Sequence, residues 1–127
     1  MPSEKLFTVS WGAPGALSGN ASFSFTMPVA ATLLEVCTSG SNANDATIIV
    51  GTSADDDGYI TSYAMGDSNV PVVKDSGDFN GALVTDPADK CPFIAADTVV
   101  LVTIDYDGSS GTAIQNPFVL LTFMAGA

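Results

Sequence analysis

Histidine and arginine are absent from this chain, and lysine occurs three times, at Lys5, Lys74 and Lys90. These absences remove whole classes of activity. Direct binding of DNA or RNA draws its affinity from clustered Lys and Arg side chains that displace the counterions condensed on phosphates, and three scattered lysines build no such cluster. A Ser, Cys or Thr nucleophile needs a neighbouring base, and the usual one, histidine, is missing. Charge is scarce altogether: 13% of the 127 residues are charged, against about a quarter in ordinary soluble domains. Fourteen acids face the three lysines, for a formal net charge of -11, and such a surface disfavours anionic membranes. No apolar run has the length of a membrane-crossing helix, and the opening Met1-Pro2-Ser3-Glu4-Lys5 lacks the basic stretch and apolar block of a secretory signal. Neither nucleic acid nor membrane is therefore an expected partner. The surplus of apolar residues, 46% of the chain, is expected to meet protein.

Cysteine is nearly absent too. Cys37 and Cys91 lie far apart and match no zinc or redox spacing. They read either as two buried thiols or as a bridge between them, and the lack of an export signal favours thiols. No cofactor is implied.

What the sequence does contain is hydrophobic residues at period two, again and again, between clusters of Gly, Ser, Asn, Asp and Pro, with no helical stripe. Strands are expected over residues 5–11, 21–27, 31–38, 45–51, 59–65, 98–106 and 117–124, with a short apolar piece at 70–73. In the second of these, Phe23, Phe25 and Met27 share one face and Ser22, Ser24 and Thr26 the other, as in a half-buried antiparallel strand. In the third, Leu34 and Val36 are read on one face, with Leu33, Glu35 and Cys37 on the other. About eight short strands in this order predict an all-β fold, a two-sheet antiparallel sandwich of jelly-roll-like form. Residues 1–20 are read as an N-terminal strand and arm, and 21–127 as the sandwich. A long polar connection over 66–92 is expected to be a surface loop.

The last two strands carry apolar residues on both faces. Val100, Val102, Ile104 and Tyr106 alternate with Val99 and Leu101, and Phe118, Leu120 and Met124 alternate with Val119, Leu121 and Phe123. A strand with two apolar faces needs cover on both, from a loop of its own chain or from a neighbouring subunit. The scarcity of charge favours the neighbour. Val99, Leu101, Val119, Leu121 and Phe123, with Phe7 and Trp11 of the first strand, are accordingly the expected interface.

Chemistry has few footholds. Asp55, Asp56 and Asp57, followed by Gly58, offer oxygens to a hard cation such as calcium, though not at EF-hand spacing, and the competing reading is a solvated turn. Asp105 and Asp107 flanking Tyr106 offer a second set of the same kind. Glu35, set in an apolar strand, is the best single candidate for an acid–base glycosidase, which would need an aspartate as its second carboxylate, against the plainer reading of an edge or inter-subunit acid. Trp11, Tyr59 and Tyr63 could stack on sugar rings, or fill a core or interface.

One longer pattern resembles a known group. A Phe-rich strand is followed by Met27-Pro28-Val29-Ala30-Ala31-Thr32-Leu33-Leu34-Glu35-Val36, a Gly/Ser/Asn-rich loop and Ala46-Thr47-Ile48-Ile49-Val50. After a variable connection come Phe93-Ile94-Ala95-Ala96-Asp97-Thr98-Val99-Val100-Leu101-Val102-Thr103-Ile104-Asp105-Tyr106-Asp107-Gly108, a Ser/Gly loop and Phe118-Val119-Leu120-Leu121-Thr122-Phe123. From Ala21 to Ala125 this resembles small jelly-roll proteins of tailed bacteriophages, which occur as head decoration (cement) proteins and as domains of tail or fibre proteins. The chain departs from that pattern at Ala96, where glycine is usual, and in lacking a central asparagine-glycine turn. The resemblance implies a virion structural protein made in the host cytoplasm, a homotrimer on the outer face of the capsid, bound to the major capsid protein, with no catalytic residues. The alternative it leaves is a glycan- or receptor-binding module of a tail or fibre, using Tyr59, Tyr63 and the 66–92 connection.

Overall fold

The computed structural model describes residues 5–80, 91–106 and 111–126. Within them the period-two pattern becomes nine strands: β1 (Lys5–Gly12), β2 (Ala21–Thr26), β3 (Ala31–Ser39), β4 (Thr47–Gly51), β5 (Ile60–Ala64), β6 (Val72–Lys74), β7 (Phe93–Ile94), β8 (Val99–Asp105) and β9 (Phe118–Ala125). Part of the expected 66–92 connection, residues 81–90, lies outside the described residues, as do Lys90 and the Asp107 end of the last loop.

Four antiparallel pairs are nested inside one another: β1 with β9, β2 with β8, β3 with β6, and β4 with β5. The chain is thus one long antiparallel ribbon, rolled so that alternate pairs join different sheets. Pairing of β9 with β3 closes a sheet of order β1-β9-β3-β6, with β7 also on β3, and pairing of β8 with β4 closes a second of order β2-β8-β4-β5. This winding is the jelly roll.

Each strand turns one side-chain set inward. Val100, Val102 and Ile104 of β8 meet Val119, Leu121 and Phe123 of β9 in the space between the sheets, all without solvent exposure. On the side where β1 and β2 form adjacent sheet edges, aromatic rings bridge the gap. Trp11 stacks on Phe23 at 5.5 Å, Phe25 meets Phe123 edge-on at 6.0 Å, and Phe123 stacks on Phe7 at 5.0 Å. Such pairs contribute about 0.5–1.5 kcal/mol each beyond their buried area. The first strand therefore lies along the sandwich as an edge strand, paired with β9 over its whole length. The first expected strand, over residues 5–11, is thus present. The segment that follows is held too, since Ala16 bridges to Gln115 and the Leu17 N–H donates to the Ile114 carbonyl at 3.0 Å.

Entry into β9 is fixed by asparagines. The Gly15 N–H donates to Asn116 Oδ1, and the Asn116 N–H returns the bond to the Gly15 carbonyl, both at 2.8 Å. Asn42 donates from Nδ2 to the Ala113 carbonyl at 2.9 Å and accepts at Oδ1 from the Gln115 N–H at 2.8 Å. Asn116 itself takes a left-handed backbone, φ 49°, a conformation asparagine tolerates better than most residues. The loops from β1, β3 and β8 are thereby stitched into one end of the sandwich. Gly40 belongs to the same junction: a Cβ there would come within 2.6 Å of Ile114 Cγ1.

Register shifts in β3 between Leu33 and Glu35. The extra residue, Leu34, reverses the alternation, so Leu33 and Val36 both point into the core while Glu35 and Cys37 point out. This corrects the expected face assignment, in which Leu34 and Val36 shared a side; a bulge of one residue is invisible to strict period-two reading.

On the β5–β6 side the link between sheets is polar. Thr38 is fully buried. Its hydroxyl donates to the Met65 carbonyl at 2.8 Å, which leaves it to accept from the Tyr63 hydroxyl at 3.1 Å. Lys74 Nζ sits 5.0 Å above the Tyr63 ring. Burial pushes the Tyr63 phenol up to about 12. A phenol whose folded pKa lies above its unfolded value stabilises the fold fully below pH ~10, and that contribution is lost as the pH rises through about 12. Raising the pH between those limits is expected to lower the unfolding free energy, measured with denaturant, by about 2 kcal/mol more in the protein than in a Tyr63→Phe variant, whose ring cannot ionise. Parallel pH profiles for the two proteins would contradict the assignment.

Candidate interaction surfaces

The two sheets present different outer faces. On the five-stranded sheet, register places Leu6 beside Met124, Met124 beside Thr32, and Thr32 beside Phe93 in one row across the strands. A parallel row runs Ser10, Leu120, Cys37, Val73, and Phe118 lies beyond it. Leu6 is 64% exposed, Phe93 50%, Val73 46% and Phe118 39%. Among the described residues Glu35 is the single charged side chain on this face, with Thr122 as its cross-strand neighbour. The acids collect elsewhere: Asp55, Asp56, Asp57, Asp75, Asp78 and Asp97 stand in loops at one end of the sandwich, and Asp45 and Asp67 at the other. An exposed apolar surface from which charge has been cleared marks a contact surface.

The expected interface residues divide. Val99, 45% exposed, and Leu101, half-buried, do face outward, but from the four-stranded sheet. Val119, Leu121 and Phe123 do not: they are fully buried in the chain's own core. Phe7 and Trp11 face inward as well, half-buried in the aromatic seam. Correction of β9 follows from pairing, because Val119, Leu121 and Phe123 stand opposite Trp11, Val9 and Phe7. The outward set of β9 is Phe118, Leu120 and Met124, which the sequence reading missed, along with Leu6, Val73 and Phe93. A signal was present: in β1 the Phe7, Val9, Trp11 set is apolar throughout while the alternate set holds Thr8 and Ser10 beside Leu6, and it sets the phase of the strand laid against it.

Other candidates resolve less favourably. Tyr59 is 5% exposed and Tyr63 is bonded to Thr38, so of the two readings of these rings the structure takes the core one and not the sugar-stacking one. The aspartate run folds as a turn in which the Gly58 N–H donates to the Asp55 carbonyl at 3.0 Å. Hydrogen bonding to Asp57 raises the Asp55 carboxyl above its usual range, with smaller contributions from burial and the neighbouring charges. Among the described residues no group of three His, Cys, Asp or Glu side chains is placed to hold a metal ion. Cys37 and Cys91 are thiols, each half-buried where full burial was expected.

No protein-family model matches the chain, and no curated protein matches it. Solved structures resemble it to different degrees. The cyanophage Pam1 capsid asymmetric unit contains a chain that superposes with a TM-score of 0.56 at 13% identity, over 97% of this chain and 85% of that one. A serine protease of Aeromonas sobria gives 0.44 at 8% identity, over 99% of this chain and 28% of that one. Infectious bursal disease virus, Gx strain, gives 0.29 at 14%, over 98% and 33%. The last two scores are too low to support an argument. At 13% identity the first shows a shared fold: the jelly roll described above is also found in a bacteriophage capsid.

Cys37 lies on the charge-poor face between Leu120 and Val73. Burial, with a lesser push from the Glu35 carboxylate, raises its thiol above the usual range. Alkylation of Cys37 at pH 8 is therefore expected to run slower than in an unfolded chain, and Glu35→Gln to quicken it about twofold. A rate unchanged by that substitution would remove Glu35 from the account of this thiol.

Proposed function

We propose that this chain is a virion structural subunit: a decoration protein that binds the outer surface of a bacteriophage head and stabilises it by assembly, without catalysis. The observation that carries the reading is the outer face of the five-stranded sheet, where Leu6, Phe93, Phe118 and Val73 stand exposed with one charge among them. The jelly roll shared with a chain of the cyanophage Pam1 capsid asymmetric unit supports it.

The occupant of that face is a second copy of this chain, in a trimer seated on the shell of the major capsid protein. Copies that each carry a net charge of -11 repel one another, so they can associate only across a surface nearly free of charge, with their acidic loop ends directed into solvent. Apolar burial supplies the attraction, about 1.5–3 kcal/mol for each large side chain fully covered. Glu35, with Thr122 as its cross-strand partner, is read as a structural acid.

Light scattering on the purified protein over a dilution series is expected to give a mass of three chains. Salt should tighten the association, because at about 0.15 M repulsion is screened beyond about 8 Å while apolar burial is not. Replacing Leu6 and Phe93 together by Glu should give a monomer with an unchanged circular dichroism spectrum. A wild-type monomer at every concentration and salt would overturn the proposal.

A further inference from the structure

The outer face of the four-stranded sheet differs from its counterpart. A depression of about 300 Å³ opens there, lined by Asn20, Thr47, Ile49, Ser62, Thr103 and Asp105. That volume is at the lower limit of small-molecule sites, about 300–1,000 Å³. Register explains its composition. Asp105 pairs with Thr47, and Thr103 with Ile49, so two adjacent cross-strand rows bring these side chains together on one surface. On β2, Ser22 continues the Thr103 row.

A bulge shapes the depression. Between Ile48 and Val50 of β4 stands one residue, Ile49, while between their partners Tyr63 and Ile60 stand two, Ser62 and Thr61. The extra residue in β5 bends the edge strand, and bulges of this kind re-aim side chains beside binding sites. Asn20 is held in place at the opposite rim by the Tyr106 N–H, which donates to its Oδ1 at 3.2 Å. Its Nδ2 donors remain for a ligand.

We propose that this depression binds a neutral saccharide. Three hydroxyls, each able to donate and accept, stand with one amide donor and one carboxylate around the aliphatic side chain of Ile49. That balance matches adjacent sugar hydroxyls over a C–H ring face. A carboxylate has about four acceptor sites, so Asp105 can take hydrogen bonds from a vicinal diol alongside its existing interaction. Phosphates and acidic sugars are disfavoured: Lys5 and Lys74 both lie in the other sheet, and Asp105 and the net charge of -11 repel anions. With no aromatic ring among the described residues that line the depression, one site binds weakly, with a Kd of about 1 mM or above. In an assembly bearing several sites, avidity multiplies that affinity by about 10²–10⁴ on a polysaccharide surface.

The test is an amide NMR titration of the full chain with neutral gluco-, galacto- and manno-oligosaccharides to roughly 50 mM, well above the expected Kd. An equal titration with sialyllactose serves as the anionic control. The expected result is saturable shifts confined to residues near 20, 47–49, 62 and 103–105 for at least one neutral series. Thr47→Val with Thr103→Val, which keeps shape and removes two hydroxyls, should weaken binding about tenfold or more with the rest of the spectrum unchanged. Absence of saturable shifts with every neutral series would overturn the proposal, as would shifts elsewhere, equal response to the anionic sugar, or undiminished binding by the double variant. Each result is independent of the assembly proposed above, since the titration reads single sites.

Discussion

The last strand, β9, enters between β1 and β3 and is hydrogen-bonded on both sides, so its register determines which half of its side chains becomes core. Both halves are apolar, and hydrophobicity alone leaves two solutions. The choice is made by neighbours. Phe7, Val9 and Trp11 of β1 are apolar where Thr8 and Ser10 are not, so antiparallel pairing carries Val119, Leu121 and Phe123 inward with them. Asn116 and Asn42, bonded to the loops on either side, hold the strand's entry to that phase. With that register in place, Phe123 completes the aromatic seam along one side of the sandwich, and Phe118, Leu120 and Met124 are left outside.

That displaced apolar set gives the molecule its polarity of surfaces. Among the described residues, one sheet shows solvent a hydrophobic face with a single carboxylate; the other shows hydroxyls, an amide and a carboxylate around a shallow depression; the aspartates are gathered largely in loops at the two ends. A −11 chain arranged this way can pack face to side with its own copies while its ends stay solvated and mutually repelled.

Much of this was legible in the sequence, for physical reasons that differ from strand to strand. In β2, serines and threonine against phenylalanines leave one solution, and the strand and both its faces follow. In β8 the longer inward set, Val100, Val102 and Ile104, outweighs Val99 and Leu101, and again the faces come out as expected. β9 failed because its alternation carries no polar half, and β3 failed because Leu34 is an inserted residue that resets the phase. Tyr59 and Tyr63 read as surface aromatics from the polar residues around them, but tertiary packing buries the first, and a threonine from another strand engages the second. The depression on the four-stranded sheet was not legible at all, since it depends on a bulge and on residues from Asn20 to Asp105 that meet only through pairing.

Hydroxyl-radical footprinting of the assembled protein, set against its dissociated Leu6→Glu/Phe93→Glu form, tests the central claim most directly, because oxidation reads side-chain exposure residue by residue. Met27 and Met65, fully buried in the single chain, serve as unreactive references in both forms. The account predicts that Phe118 and Met124 lose reactivity on assembly while Val99, on the other sheet, keeps its own. Unprotected Phe118 and Met124 in an assembled particle, with Val99 protected instead, would place the contact on the opposite sheet and contradict the account.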